Sequence, residues 1–198
     1  MASLPAHRYL DVYSSDQKAS SVLGKWNLAA VFAPTVGTTV LAFRQNAVQS
    51  ADLTSLSNRL LECFETAYGY HYDRLQSKGP TLFAFGLVSG LGFGPEDMLE
   101  ADAIARWGRA GIDDRGYLRG ALRDVFPNNI LTGAHLAAAV ENCTLESWIH
   151  SCKDRGTLLK LNGDQYIWSV EPQQIASVHL ALAKAGLLLS HNDAIARP

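Results

Sequence analysis

Seven consecutive residues, Tyr68-Gly69-Tyr70-His71-Tyr72-Asp73-Arg74, group a histidine, a carboxylate and an arginine with three tyrosines. Such a set can supply a general base, a group that orients it and a clamp for an anion, so Tyr70, His71 and Asp73 are the catalytic candidates. Tyr72 and Arg74 are candidates for binding. Neighbours in sequence need not converge in space. The competing reading is that Gly69 ends a helix and the tyrosines cover its exposed end.

A second candidate is cationic. Arg115, Arg119 and Arg123 recur every four residues, which on a helix puts three guanidinium groups on one face, with Arg106 and Arg109 on the preceding helix nearby. Guanidinium forks suit phosphate oxygens and carboxylates alike. The bland alternative is a solvated face tied to Asp113, Asp114 and Asp124. A third candidate, Ser89-Gly90-Leu91-Gly92-Phe93-Gly94, lies between an apolar run and a helix, the context in which glycine-rich loops cradle phosphate. Its spacing is GxGxG rather than GxGxxG, no lysine follows, and Glu96 and Asp97 would repel a phosphate, so it is read as a linker. Cys63, Cys143 and Cys152 are odd in number and unlike CxxC pairs in spacing, which suggests neither a disulfide framework nor a zinc site. No metal and no cofactor are expected.

The elements that must position these groups follow from periodicity. Short strands are expected at Tyr9 to Tyr13, Asn27 to Ala33 and Thr39 to Arg44, with a short helix at Asp16 to Trp26. Leu53, Leu56, Leu60, Leu61, Phe64 and Tyr68 fall at helical spacing, and Thr81 to Val88, almost wholly apolar, reads as a central strand. The resulting order β-α-β-β-α-β is that of a ferredoxin-like module over residues 1–88. Residues 89–94 form the linker, and a winged-helix-like module over 95–198 follows.

In that second module Pro95, Glu96 and Asp97 suit a helix start, giving a helix over 95–109. Asp113 or Asp114 caps another helix running to Phe126, before Pro127. Two more helices are expected at 133–140 and 145–153, the second burying Leu145, Trp148, Ile149 and Cys152, with Thr144 as its cap. A hairpin then turns at Asn162-Gly163, and a helix from Pro172 to Ala185 closes the chain, ended by Gly186. The fold class expected is therefore α+β.

Composition limits the function. The chain has 198 residues, 47% apolar and 18% charged, with a net charge of −2. Proteins held by phosphate contacts usually carry a basic balance or face, so any such face must be local. The recognition helix would present Glu146, Ser147, His150, Lys153 and Asp154, and the wing tip Lys160, Asn162 and Asp164. Two acids on a groove-reading helix oppose the phosphate field. An RNA-binding sheet displaying Tyr9, Tyr13 and Phe43 lacks the basic-glycine-aromatic run such sheets use. The leading expectation is a non-enzymatic interaction or regulatory protein with a protein partner. The alternatives are a nucleic-acid-binding regulator using Arg115, Arg119 and Arg123, and a small-molecule enzyme near Tyr70 to Asp73. With no export signal in MASLPAHRYLDVYSS and no apolar run of membrane length, a cytoplasmic protein without a membrane partner is expected.

Overall fold

A computed structural model describes residues 10–14, 28–33, 38–43, 55, 58–62, 66–90, 92, 94–109, 116–161 and 163–190. The protein is α+β, with several small antiparallel sheets. Three strands, β1 (Leu10–Ser14), β2 (Leu28–Ala33) and β3 (Thr38–Phe43), pair antiparallel in the order β1-β2-β3. They match the three strands expected from alternation and β-branched content. The helix expected at 16–26 lies outside the described residues; of the next helix, residues 55 and 58–62 are described and helical.

The fourth strand of a ferredoxin-like sheet does not form. Thr81 to Val88 instead contains helix α1 (Pro80–Ala84), and β1 and β2 are antiparallel neighbours where a β-α-β unit would make them parallel. The local cause is visible in the sequence. Pro80 sits at the first helical position, where its missing N–H is no loss. Gly86, at φ 73°, ends the helix: its N–H bonds Phe83 O at 3.0 Å and the Leu87 N–H bonds Leu82 O at 3.0 Å. That pair of bonds is a Schellman cap. A short apolar run bounded by glycine fits a strand and a buried helix equally well, and the caps decide between them.

Helix α2 (Pro95–Arg109) forms as expected and turns Ile104 and Trp107 inward. The helix expected to reach Phe126 does not. Residues 110–115 lie outside the description; Gly116–Arg119 is a 3-10 turn, and Gly120, at φ 92°, breaks it. Beyond it the backbone is held by the C-terminal segment, with Leu122 N–H on Leu187 O at 2.9 Å, Leu189 N–H on Leu122 O at 2.8 Å and Ser190 N–H on Arg123 O at 3.0 Å. Backbone groups engaged across the molecule are unavailable for a helix.

The second sheet has the order β4-β5-β9-β8, formed by β4 (Gly69–His71), β5 (Asn128–Thr132), β8 (Thr157–Lys160) and β9 (Gln165–Ser169). Between β5 and β8 come α3 (Gly133–Leu136), a hairpin of β6 (Ala139–Val140) and β7 (Cys143–Thr144), and α4 (Leu145–His150). The helix expected over 133–140 is thus one turn long. Val140 leaves the helix to reach full burial, and Glu141, at φ 54°, makes the turn into β7. Thr144 caps α4 by accepting the Ser147 N–H at 3.2 Å. Strands β8 and β9 form the expected hairpin, with Gly163 at φ 63° in its turn. Helix α5 (Pro172–Lys184) buries Val178 and Leu182 and closes on Gly186. The main core joins Leu131, Leu136, Leu145, Trp148, Ile149, Trp168, Val178, Leu182 and Leu188. Among the described residues, no helix is long and apolar enough to cross a membrane.

Candidate functional site

Strand β4 divides the Tyr68–Arg74 segment by parity, because successive side chains on a strand point to opposite faces. Tyr68, Tyr70 and Tyr72 run along one face and join an aromatic layer with Phe83, Trp107, Tyr117, Phe126 and His135. Tyr70 stacks on Phe126 with ring centres 4.4 Å apart, and Tyr68 lies 5.3 Å from the His135 ring. Burial pushes the hydroxyl pKa of Tyr68, Tyr70 and Tyr72 above the usual tyrosine value. His71 belongs to the alternate register and is half-buried, and Asp73 is exposed. The three catalytic candidates are therefore not brought together.

Arg123 enters this layer from the segment after Gly120 and is 2% exposed. Its guanidinium carbon lies 3.8 Å from the centre of Phe83, 5.1 Å from Trp107 and 5.4 Å from Tyr70. Its Nη1 donates to Tyr70 Oη at 2.5 Å and more distantly to Ala84 O at 3.4 Å, while its backbone N–H donates to Tyr68 Oη at 3.0 Å. Ala84 O also receives the Trp107 indole N–H at 3.2 Å. It is a carbonyl of the last turn of α1, where no intrahelical partner exists, and so is a natural acceptor for a cation.

Arg74 approaches the same ring, its guanidinium carbon 4.4 Å from the centre of Phe83. Its Nε donates to Lys78 O at 2.9 Å and its Nη1 to Glu100 Oε1 at 2.5 Å. Glu100 also receives Lys78 Nζ at 3.3 Å, and Lys78 reaches Asp97 at 3.3 Å. Partial burial works against ionised Glu100, but Arg74 and Lys78 outweigh it and lower its pKa. Both arginines line a cavity of about 180 Å³, with Phe83, Ile104, Glu100 and Asp124 among its other lining residues. Asp124 is itself occupied, by the Val125 N–H at 2.7 Å, His179 Nδ1 at 2.7 Å and the Ser190 hydroxyl at 3.1 Å.

Of the binding candidates, Tyr72, Arg74 and Arg123 meet at this layer. Arg119 is exposed on the 3-10 turn, and Arg115 lies outside the described residues. Arg119 and Arg123 do not share a helix face. Phe83, Glu100 and Trp107 are site residues that spacing alone did not single out; for Phe83 the signal was available in the Pro80 and Gly86 boundaries that make its neighbourhood helical.

The glycine-rich segment packs closely. A Cβ on Gly90, which has φ 64°, would sit 1.8 Å from Ser77 O, and one on Gly92 would sit 2.8 Å from an Asp97 carboxylate oxygen. An acid in that position is poor company for phosphate. The expected outward residues of α4 and its following turn, Glu146, Ser147, His150, Lys153 and Asp154, are exposed. Cys143 and Cys152 are free thiols; Cys63 lies outside the described residues. Among the described residues no group of three or more His, Cys, Asp or Glu could hold a metal ion.

Large apolar side chains are exposed on the segments around α1 and the start of α2, and also at Leu118, Leu159 and Leu180. Leu75, Leu87, Val88, Met98 and Leu99 are 68, 53, 48, 63 and 71% exposed. Their segments are tied together by Lys78 bridging to Asp97 and Glu100, and by the close approaches of Gly79 to Ser89 and of Gly90 to Ser77. Comparison with known proteins finds no match to this chain among protein-family models, curated proteins or solved structures.

Proposed function

We propose that this protein is a non-enzymatic interaction protein that binds a partner protein through the apolar surface of Leu75, Leu87, Val88, Met98 and Leu99. The observation that carries the reading is the exposure of five large apolar side chains on segments fastened side by side. Large apolar side chains left in water on neighbouring segments mark a candidate protein contact. Glu96 and Asp102 flank Met98 and Leu99 on the outer side of α2, so the partner segment is apolar with lysine or arginine beside it.

The C-terminal half supports the same class of function. Its β5-α3-α4-β8-β9 succession, with sheet order β5-β9-β8, resembles a winged helix, a scaffold that serves protein contacts as well as nucleic acid. The nucleic-acid alternative is disfavoured by the burial of Arg123 and by the exposed acids on α4. The enzyme alternative is disfavoured by the separation of His71 and Asp73 from Tyr70.

The test compares wild-type protein with the double variant Met98→Asp, Leu99→Asp in affinity capture from the source cells. A protein held by the wild type at 1 M salt and lost from the variant, with the variant's circular dichroism unchanged, is the expected result. Capture that survives the double substitution but is abolished by substitutions at Glu146 and His150 would move the interface to α4. A complex that contains nucleic acid and dissolves steeply with salt would replace the reading by the nucleic-acid one.

A further inference from the structure

We propose that the groove between the helical residues 58–62 and the hairpin β8-β9 is a binding site for a free α-amino acid with an apolar side chain. The groove has a volume of about 290 Å³ and is lined by Asn58, Leu61 and Glu62 from the helix and by Lys160, Leu161 and Gln165 from the hairpin. Asn58, Leu61 and Glu62 stand at i, i+3 and i+4, so helical geometry turns them to one face. The hairpin side is fixed by two hydrogen bonds. The Leu161 N–H donates to Gln165 O at 2.9 Å, and Gln165 Nε2 donates to Thr66 O at 3.2 Å, tying the hairpin to the segment that follows the helix. A site held in this way needs little reorganisation to receive a ligand.

The charged groups of the groove are not used up by the protein. Among the described residues Glu62 and Lys160 form no ion pair, and the side chains of Asn58 and Glu62 make no hydrogen bond. The Lys160 ammonium lies 5.8 Å from the centre of the Tyr166 ring, a contact that occupies none of its three N–H donors. Asn58, Glu62 and Lys160 are exposed and Leu61 and Leu161 half-buried, so all of them are open to a ligand. A carboxylate and an ammonium lining one groove match a zwitterion, whose ammonium meets Glu62 and whose carboxylate meets Lys160. A simple carboxylic acid would bring like charge to Glu62, and a simple amine would bring it to Lys160, so both are selected against. Leu61 and Leu161 supply apolar surface for the amino acid's side chain.

This site shares no residue with the apolar surface of Leu75, Leu87, Val88, Met98 and Leu99, so the two proposals fail separately. The experiment is calorimetric titration of the full chain at pH 7.0 with L-leucine, with N-acetyl-L-leucine, which lacks the ammonium, and with L-leucinamide, which lacks the carboxylate. Saturable L-leucine binding is expected, with each blocked form weaker by about fivefold, the upper range for a solvent-exposed charge pair. Glu62→Gln removes the preference for L-leucine over its N-acetyl form, and Lys160→Gln removes the preference over the amide. Met98→Asp leaves both preferences intact. Absence of saturable L-leucine binding overturns the site, and so does L-leucine binding indifferent to both Glu62→Gln and Lys160→Gln. Either blocked form binding as tightly as L-leucine overturns the assignment of ligand class.

Discussion

The two larger sheets of this protein rest on unlike foundations. Around β5, β8 and β9 lies a continuous core that includes Trp168, Leu131, Leu145, Leu182 and Leu188, each fully buried. The three-stranded sheet β1-β2-β3 shows a described core of Val31, Val40 and Ala84, with Tyr72 and Phe85 packed against it. Burial of apolar area is the main favourable term in folding, and among the described residues the larger buried apolar core lies in the C-terminal half. The first sheet gains by leaning on α1, and through α1 on the aromatic layer. The difference explains why the arginine-lined cavity sits where it does. Polar and charged groups persist where two apolar cores meet without merging, provided that aromatic faces and carbonyls are arranged to receive them.

The comparison breaks first at its largest expected effect. Trp168→Ala removes a fully buried indole that also donates to Arg155 O at 2.8 Å, and should cost about 3–5 kcal/mol. Val31→Ala in the first sheet should cost about 2 kcal/mol or less. Urea denaturation of the two variants measures both; equal losses would mean that the halves are not unequal.

Acid provides the second test. His135 is fully buried, its Nδ1 accepts the Thr132 N–H at 3.2 Å, and burial lowers its pKa to about 4 from 6.5. Its folded-state pKa is below the unfolded one, so the unfolded chain binds the extra proton between these values. Stability is complete above pH 6.5 and falls by about 3 kcal/mol as pH drops toward about 4. His135→Gln should flatten that slope in denaturation curves measured across the window. A wild-type slope that persists in the variant would assign the acid sensitivity elsewhere.

His179 gives the smallest effect and the opposite sign. Its bond to Asp124 at 2.7 Å raises its pKa above 6.5, against the opposing effect of partial burial. The stabilisation is fully present below pH 6.5 and disappears as pH rises through the raised value. The difference in Tm between wild type and His179→Asn should therefore shrink as pH rises from 6.0 to 9.0; a constant difference would show that packing alone is at stake.

Much of the secondary structure was legible locally. The first three strands, α2, α4, the β8-β9 hairpin and α5 all stand close to where alternation, helical spacing, Thr144, Pro95, Pro172 and the glycine turns put them. The misread segments share a cause. Thr81 to Val88 and Ala137 to Val140 are short apolar runs whose period is ambiguous, and the segment to Phe126 was extended past Gly120. At Thr81 to Val88 a capping glycine, and before Phe126 a distant backbone partner, outweighed propensity; at Ala137 to Val140 the turn at Glu141 and the β6-β7 pairing did. The candidate site was half visible. Tyr70, Tyr72, Arg74 and Arg123 were singled out from their types, but their grouping crosses more than fifty positions and depends on Phe83 being helical.

By itself the sequence determined the chemical inventory, a near-neutral α+β chain with one tyrosine-rich strand, and the helix and turn boundaries written in proline, glycine, threonine and alternating apolar positions. Tertiary structure alone decided which of those side chains are functional neighbours. The pleat of β4 sends Tyr70 inward and His71 to the other face, and the pairing of residues 122–123 with 187–190 pulls Arg123 off a solvent-facing helix into an aromatic box. Those outcomes follow from hydrogen bonds and packing between segments far apart in the chain, which no local pattern encodes.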